Sequence, residues 1–261
     1  PGTEPGRAAP RGGEDVHEIT QWGPGGPAAT GRPRGEGPHH ERCGGHRGHA
    51  RPPPAGPAAR LGSGDPVVRA AVVDLLRALR AGVVADYRAA LADPDHRVRI
   101  EGVRALVSLD ERDAIAAAAT DPNREVRIVA AQGLATIGNG GAEIVRALSG
   151  DSDPLVRAAA LAAFAGTGAT PADIDTCIDA LRDTAWQVRV GAARGLAAAD
   201  PGSATSALTG ALADPHLDVR KAAVLTLATW PGFEPARLAL QGAVDDTDAD
   251  VRAYARRALM A

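Results

Sequence analysis

Seven times along this chain an arginine directly follows a valine, at Arg69, Arg99, Arg127, Arg157, Arg189, Arg220 and Arg252. Six of the seven stand six residues after an aspartate: Asp93, Asp121, Asp151, Asp183, Asp214 and Asp246. The first copy, "SGDPVVR" at 63–69, has Ser63 in that place. A carboxylate and a guanidinium at constant spacing offer two kinds of chemistry. They can form charge-assisted pairs, within one repeat or with the next, or the guanidinium groups can line up as a stripe for phosphates. Every arginine but the first brings its own acid, and residues 61–261 hold 26 acidic against 21 basic side chains. Both facts favour pairing, so these residues read as structural.

A second cluster with chemical potential is "HHERCGGHRGH" at 39–49, where His40, Cys43, His46 and His49 follow one another at three-residue spacing. Imidazole and thiolate suit zinc or another borderline metal. Structural zinc motifs, however, sit beside apolar positions that fold around the ion, and none flank this stretch. No cofactor or metal is expected, and no P-loop, nucleophile elbow or paired-carboxylate cleft stands out.

The surroundings of these clusters differ. Residues 1–60 are dense in Gly, Pro, Arg and His, with eight arginines against six acids and no sustained apolar period. Such a segment buries too little apolar surface to offset the entropy of ordering, and a disordered tail is expected. Residues 61–261 are expected to be all-α. The Val-Arg pairs recur at steps of 28 to 32 residues, the mark of a repeat architecture. After each valine, small or apolar residues fall four, eight and eleven positions on, as in Val126, Ala130, Leu134 and Ile137. A shorter helical stretch follows every such run, and breakers such as "GTGATP" (166–171) and "DPGS" (200–203) lie between. Asp95, Asn123, Asp153 and Asp248 are placed to cap the Val-Arg helices, whereas Ala185 and His216 predict weaker caps. The two cysteines, Cys43 and Cys177, suggest no disulfide framework, which fits a cytoplasmic setting. No apolar run reaches the length of a membrane span.

The Asp-x5-Arg spacing, the valine before the arginine and the small-residue helix after it resemble HEAT repeats, most nearly the short bacterial type named after phycobilisome lyases. The resemblance covers residues 65–261. It implies a right-handed α-solenoid of six helix pairs plus one N-terminal helix, with the Val-Arg helices lining the concave side. Some relatives carry a di-iron centre on His-Glu pairs. Here His-Glu occurs only at His17–Glu18 and His40–Glu41, outside the repeats, so the resemblance carries no iron ligands over. Relatives that act on DNA use a basic, aromatic-rich concave face, and an acidic array in a chain with only seven aromatic residues disfavours nucleic acid.

If repeated residues build the scaffold, binding falls to exposed residues that vary. The second and sixth positions after each valine share one face. That face offers Ile100, Arg104, Ile128, Gln132, Val190, Arg194 and Leu225, an apolar floor dotted with polar heads. Trp186, at an otherwise polar turn, is either an exposed anchor or a staple packed back on its own helix. The expected function is a non-catalytic adaptor or scaffold for another protein or peptide. The alternative is a regulatory or chaperone-like subunit of a modifying enzyme.

Overall fold

The computed structural model describes residues 57–138 and 140–260. The expected tail and the His39–His49 cluster lie outside the described residues. After a 3-10 turn at Pro57–Arg60 come thirteen α-helices: α1 (Pro66–Ala78), α2 (Val84–Ala90), α3 (His96–Val107), α4 (Arg112–Ala118), α5 (Arg124–Ile137), α6 (Ala142–Leu148), α7 (Pro154–Thr167), α8 (Pro171–Ala180), α9 (Trp186–Gly195), α10 (Pro201–Ala211), α11 (Leu217–Leu227), α12 (Glu234–Gly242) and α13 (Ala249–Met260). No strand occurs among the described residues, and no helix there is long and apolar enough to cross a membrane. The array is an all-α solenoid. The odd-numbered helices are the Val-Arg helices and stack in one row, while the even-numbered ones form the other.

Each Val-Arg helix begins as the turn sequence dictates. Asp95, Asn123 and Asp153 accept the backbone N–H two residues on at 2.8–2.9 Å, and Asp248 accepts from both Asp250 and Val251. Ala185 offers no such bond. His216 caps with a longer bond, as expected: its Nδ1 accepts the Asp218 N–H at 3.3 Å. The reading of "DPGS" as a breaker is corrected: Asp200 caps α10 through the Gly202 N–H, and Pro201, which needs no partner for a missing N–H, opens the helix. Two helices end on a left-handed residue that is not glycine, Arg80 after α1 and Asp110 after α3. In each case the next N–H closes the helix by returning to the carbonyl of Leu76 or Leu106.

The apolar stripe is the core. Val126, Ala130, Leu134, Ala160, Phe164, Ala192, Leu196, Ala223 and Leu227 are wholly buried. Cys177 shares this core, and burial, helped by nearby Asp173, pushes its thiol up to about 12. Small residues let neighbouring Val-Arg helices touch backbone to backbone. A Cβ on Gly191 would lie 2.2 Å from the Ala158 carbonyl oxygen, one on Gly195 2.2 Å from that of Leu161, and one on Gly166 2.4 Å from that of Ala135. The even-numbered helices stand further apart, with clefts of about 510 Å³ between α8 and α10 and about 590 Å³ between α10 and α12. In a two-row solenoid the closely spaced row is the inside of the bend, so the Val-Arg helices form the inner face.

Candidate functional site

The Asp-x5-Arg residues form a ladder on the turn edge. Each guanidinium reaches forward to the first aspartate of the next repeat: Arg69 to Asp93, Arg99 to Asp121, Arg127 to Asp151, Arg189 to Asp214 and Arg220 to Asp246, all through Nε at 2.7–2.9 Å with Nη2 on the second oxygen. The same arginine turns its Nη1 back to the main-chain carbonyl of its own repeat's first residue, for instance Arg127 to Asp121 at 2.8 Å and Arg189 to Asp183 at 3.0 Å. Each aspartate also accepts the N–H two residues on, as Asp121 does from Asn123 and Asp214 from His216. The sequence allows the carboxylate to meet an arginine of its own repeat or of the neighbouring one; the structure pairs it with the preceding repeat's arginine, and within a repeat the arginine reaches only the main-chain carbonyl.

Electrostatics hold these acids ionised. The Arg69 guanidinium keeps the Asp93 carboxyl below the usual carboxylate range. Burial pushes Asp121, Asp151, Asp214 and Asp246 upward, but the arginine and the turn amide outweigh it, and they too sit low. With both partners bound, Arg69, Arg99, Arg127, Arg189 and Arg220 have no fork left for a phosphate. Its loosest rung is Arg157–Asp183, where Nη2 alone contacts the carboxylate, at 3.2 and 3.5 Å.

A second tie, missed from the sequence, joins the outer row. Asp173 is fully buried and accepts from Nε and Nη2 of Arg146, from the Thr170 N–H and from the Thr170 hydroxyl at 2.7–2.9 Å. Arg146 first, then the Thr170 contacts, bring its carboxyl down to about 2 against the cost of burial. The capping-box spacing of Thr170 and Asp173 was the available signal. Nothing local marks Arg146, 27 residues upstream.

The residues expected to bind a partner divide by depth. At the sixth position after valine, Arg104, Gln132, Arg194 and Leu225 are all exposed, on α3, α5, α9 and α11. The second position lies deeper: Ile128 and Val190 are half-buried. Ile100 is a correction. It is only 9% exposed and belongs to the core, because helical register sets the direction of its side chain and not how closely the neighbouring helices approach it. Trp186 is 36% exposed and does not fold back on its own helix. Its ring stacks on His216, the cap of the next Val-Arg helix, with centroids 3.9 Å apart and planes 7° from parallel. Beside the sixth-position row runs a line the sequence reading did not isolate. Ten residues after each of the first six valines stand Ala78, Ser108, Thr136, Gly166, Ala198 and Thr229, all small and all exposed. The inner face therefore presents long side chains next to a shallow trough.

The arginines of this face are not alike. Arg104 is paired with Glu101 at 2.6 Å. Arg194 is exposed and joins no ion pair among the described residues, and neither α7 nor α9 contains an acidic side chain. No group of three or more metal-binding side chains gathers among the described residues.

The family pattern for HEAT repeats matches residues 112–184 and 174–260, together more than half of the chain. A comparison with curated protein sequences gave no match. Among solved structures, an engineered protein superposes with a TM-score of 0.52 at 22% identity, over 78% of this chain and 66% of that one, just under two thirds of its length. The complex of CpcE and CpcF of phycocyanin lyase from Nostoc sp. PCC7120 matches with a TM-score of 0.51 at 21% identity, over 85% of this chain and 99% of that one. At such identities the likeness is one of fold. It agrees with what the turns and their ladder already require: the chain belongs to the HEAT-repeat family.

Proposed function

We propose that residues 61–261 form a non-catalytic scaffold or adaptor, working in the cytoplasm, that holds another protein or a peptide on the inner face of the array. The observation that carries this is the sixth-position row, where Arg104, Gln132, Arg194 and Leu225 stand exposed on a face whose neighbouring positions are small. Mixed polar and apolar groups over a flat floor suit a polypeptide, with arginine and a large apolar residue as the main contacts. The five two-pronged ladder arginines, Arg69, Arg99, Arg127, Arg189 and Arg220, are engaged by carboxylates and do not contribute. The test is affinity capture with the full chain against an Arg104→Glu, Arg194→Glu variant, read by mass spectrometry. A partner retained by the first and lost by the second supports the reading. An unchanged partner list removes the inner face from consideration.

A second reading, a regulatory or chaperone-like subunit of a modifying enzyme, draws on the fold likeness to a phycocyanin lyase complex. It gains weight if an enzyme co-purifies at fixed stoichiometry and its rate depends on this chain.

A further inference from the structure

Resting on the inner-face reading above, we infer that the α7–α9–α11 segment of that face is a seat for an acidic polypeptide segment, with a carboxylate on Arg194 and an aliphatic side chain beside it on Leu225. Three observations converge on this patch. The array as a whole is acidic, and the arginines of the ladder are held by carboxylates, yet Arg194 stands exposed with no acid to meet it. Its surroundings exclude an internal partner. Along its own helix the residues three and four positions away are Val190, Gly191, Ala197 and Ala198, and the equivalent sixth positions on the flanking helices are Ala162 and Leu225. On the flanking helix α11, Lys221 is already held by Asp250 at 3.1 Å.

The second observation is Leu225, 46% exposed, where the adjacent positions Val224 and Thr226 are buried. An arginine and a leucine at the same register on neighbouring helices offer a charged contact and an apolar contact side by side, and arginine is among the residues enriched at interface centres. The third is room. Gly166, Ala198 and Thr229 are the small exposed residues next to this part of the row, so an approaching chain meets no bulky wall. Charge complementarity chooses the occupant: a basic or neutral segment would leave Arg194 without a counter-charge, whereas an acidic one supplies the missing half of a pair.

The experiment uses the full chain and three labelled peptides with identical leucine and serine positions that carry Glu, Gln or Lys elsewhere, followed by fluorescence anisotropy. The Glu peptide is expected to bind more tightly than the Gln peptide, the Lys peptide least, and added salt should weaken the Glu complex. Arg194→Glu should weaken Glu-peptide binding on the order of 30-fold. Leu225→Ser should weaken all three peptides, and Arg182→Glu, on the outer row, should leave them as in wild type. Circular dichroism identical to wild type confirms that each exposed variant folds. Equal binding of the three peptides, or an Arg194→Glu variant that binds as wild type, overturns the inference. If a captured partner is lost in the Arg104→Glu, Arg194→Glu variant while the Glu peptide fails to bind, the inner-face reading stands and the acidic class falls. If capture is also insensitive, both fall.

Discussion

Arg189 and Arg194 lie on one helix, five residues apart, and have opposite fates. Arg189 is 14% exposed, gripped by Asp214 in front and by the Asp183 carbonyl behind. Arg194 projects from the inner face with no ion-pair partner among the described residues. The first belongs to a position that recurs in every repeat, the second to one that changes from repeat to repeat. The contrast teaches that in this array recurrence marks residues that join repeats to each other. Variation at an exposed register marks residues left for something else. The turn edge and the inner face are thus two surfaces with different tasks, built on the same helices.

That comparison can be broken at several points. The largest effect is expected where helix backbones touch. Gly195→Ala places a Cβ against the Leu161 carbonyl and should destabilise the array by about 3 kcal/mol, because backbone cannot give way as a side chain can. Gly210→Ala is the counterpart. That glycine faces open space on α10, and its replacement should stabilise by about 0.5–1 kcal/mol. Urea unfolding of both variants checks the pair, and equal effects would mean that inter-helix contact is not what sets stability here.

Next come the rungs. Arg189→Ala leaves the largely buried Asp214 facing a lost charge and should cost about 2–3 kcal/mol. Arg157→Ala breaks the longer, more exposed contact with Asp183 and should cost about 1 kcal/mol or less. The Arg157 rung joins α7 to α9, the same two helices that meet through Gly191 and Gly195. That junction leans on backbone packing more than on charge. A cost for Arg157→Ala equal to that of Arg189→Ala would contradict this division.

Asp173 supplies a pH test. Its carboxyl titrates near 2 in the folded chain instead of at 3.8. Its contribution is therefore complete above about pH 4 and is lost as the pH falls toward 2. Asp173→Asn should cost roughly 2 kcal/mol at neutral pH, and the Tm gap to wild type should close between pH 4 and 2. A gap that stays constant through that range would show that the carboxylate charge is not what matters. Smallest of all, Arg194→Ala should move stability by no more than about 0.5 kcal/mol while removing the proposed acidic contact. A large loss of stability would place Arg194 with the structural arginines and dissolve the comparison.

Much of this molecule was legible from the chain itself. The period of the Val-Arg pairs placed the seven inner helices, and Asp95, Asn123, Asp153 and Asp248 announced their starts because a cap is a local event of two or three residues. The buried stripe followed from helical geometry. Other features were out of reach for a definite reason. The stack of Trp186 on His216 joins residues one repeat apart, and neither ring carries a mark of the other. The same holds for Arg146 and Asp173, although a threonine three residues before the aspartate hinted at a cap. Ile100 was placed on an open face by register alone, since register on a helix says which direction a side chain points and not how closely the neighbours approach.

The sequence by itself determined the repeat, its helices, its caps and the supply of one acid and one arginine per turn, because these depend on contacts within a few residues or on a period. Only the tertiary structure decided which acid each ladder arginine meets, which glycines lie against a neighbour's backbone and that Arg194 is left unmatched among the described residues. Those outcomes depend on the distance and rotation between successive helices, quantities set by the packing of whole side-chain faces and written at no single position.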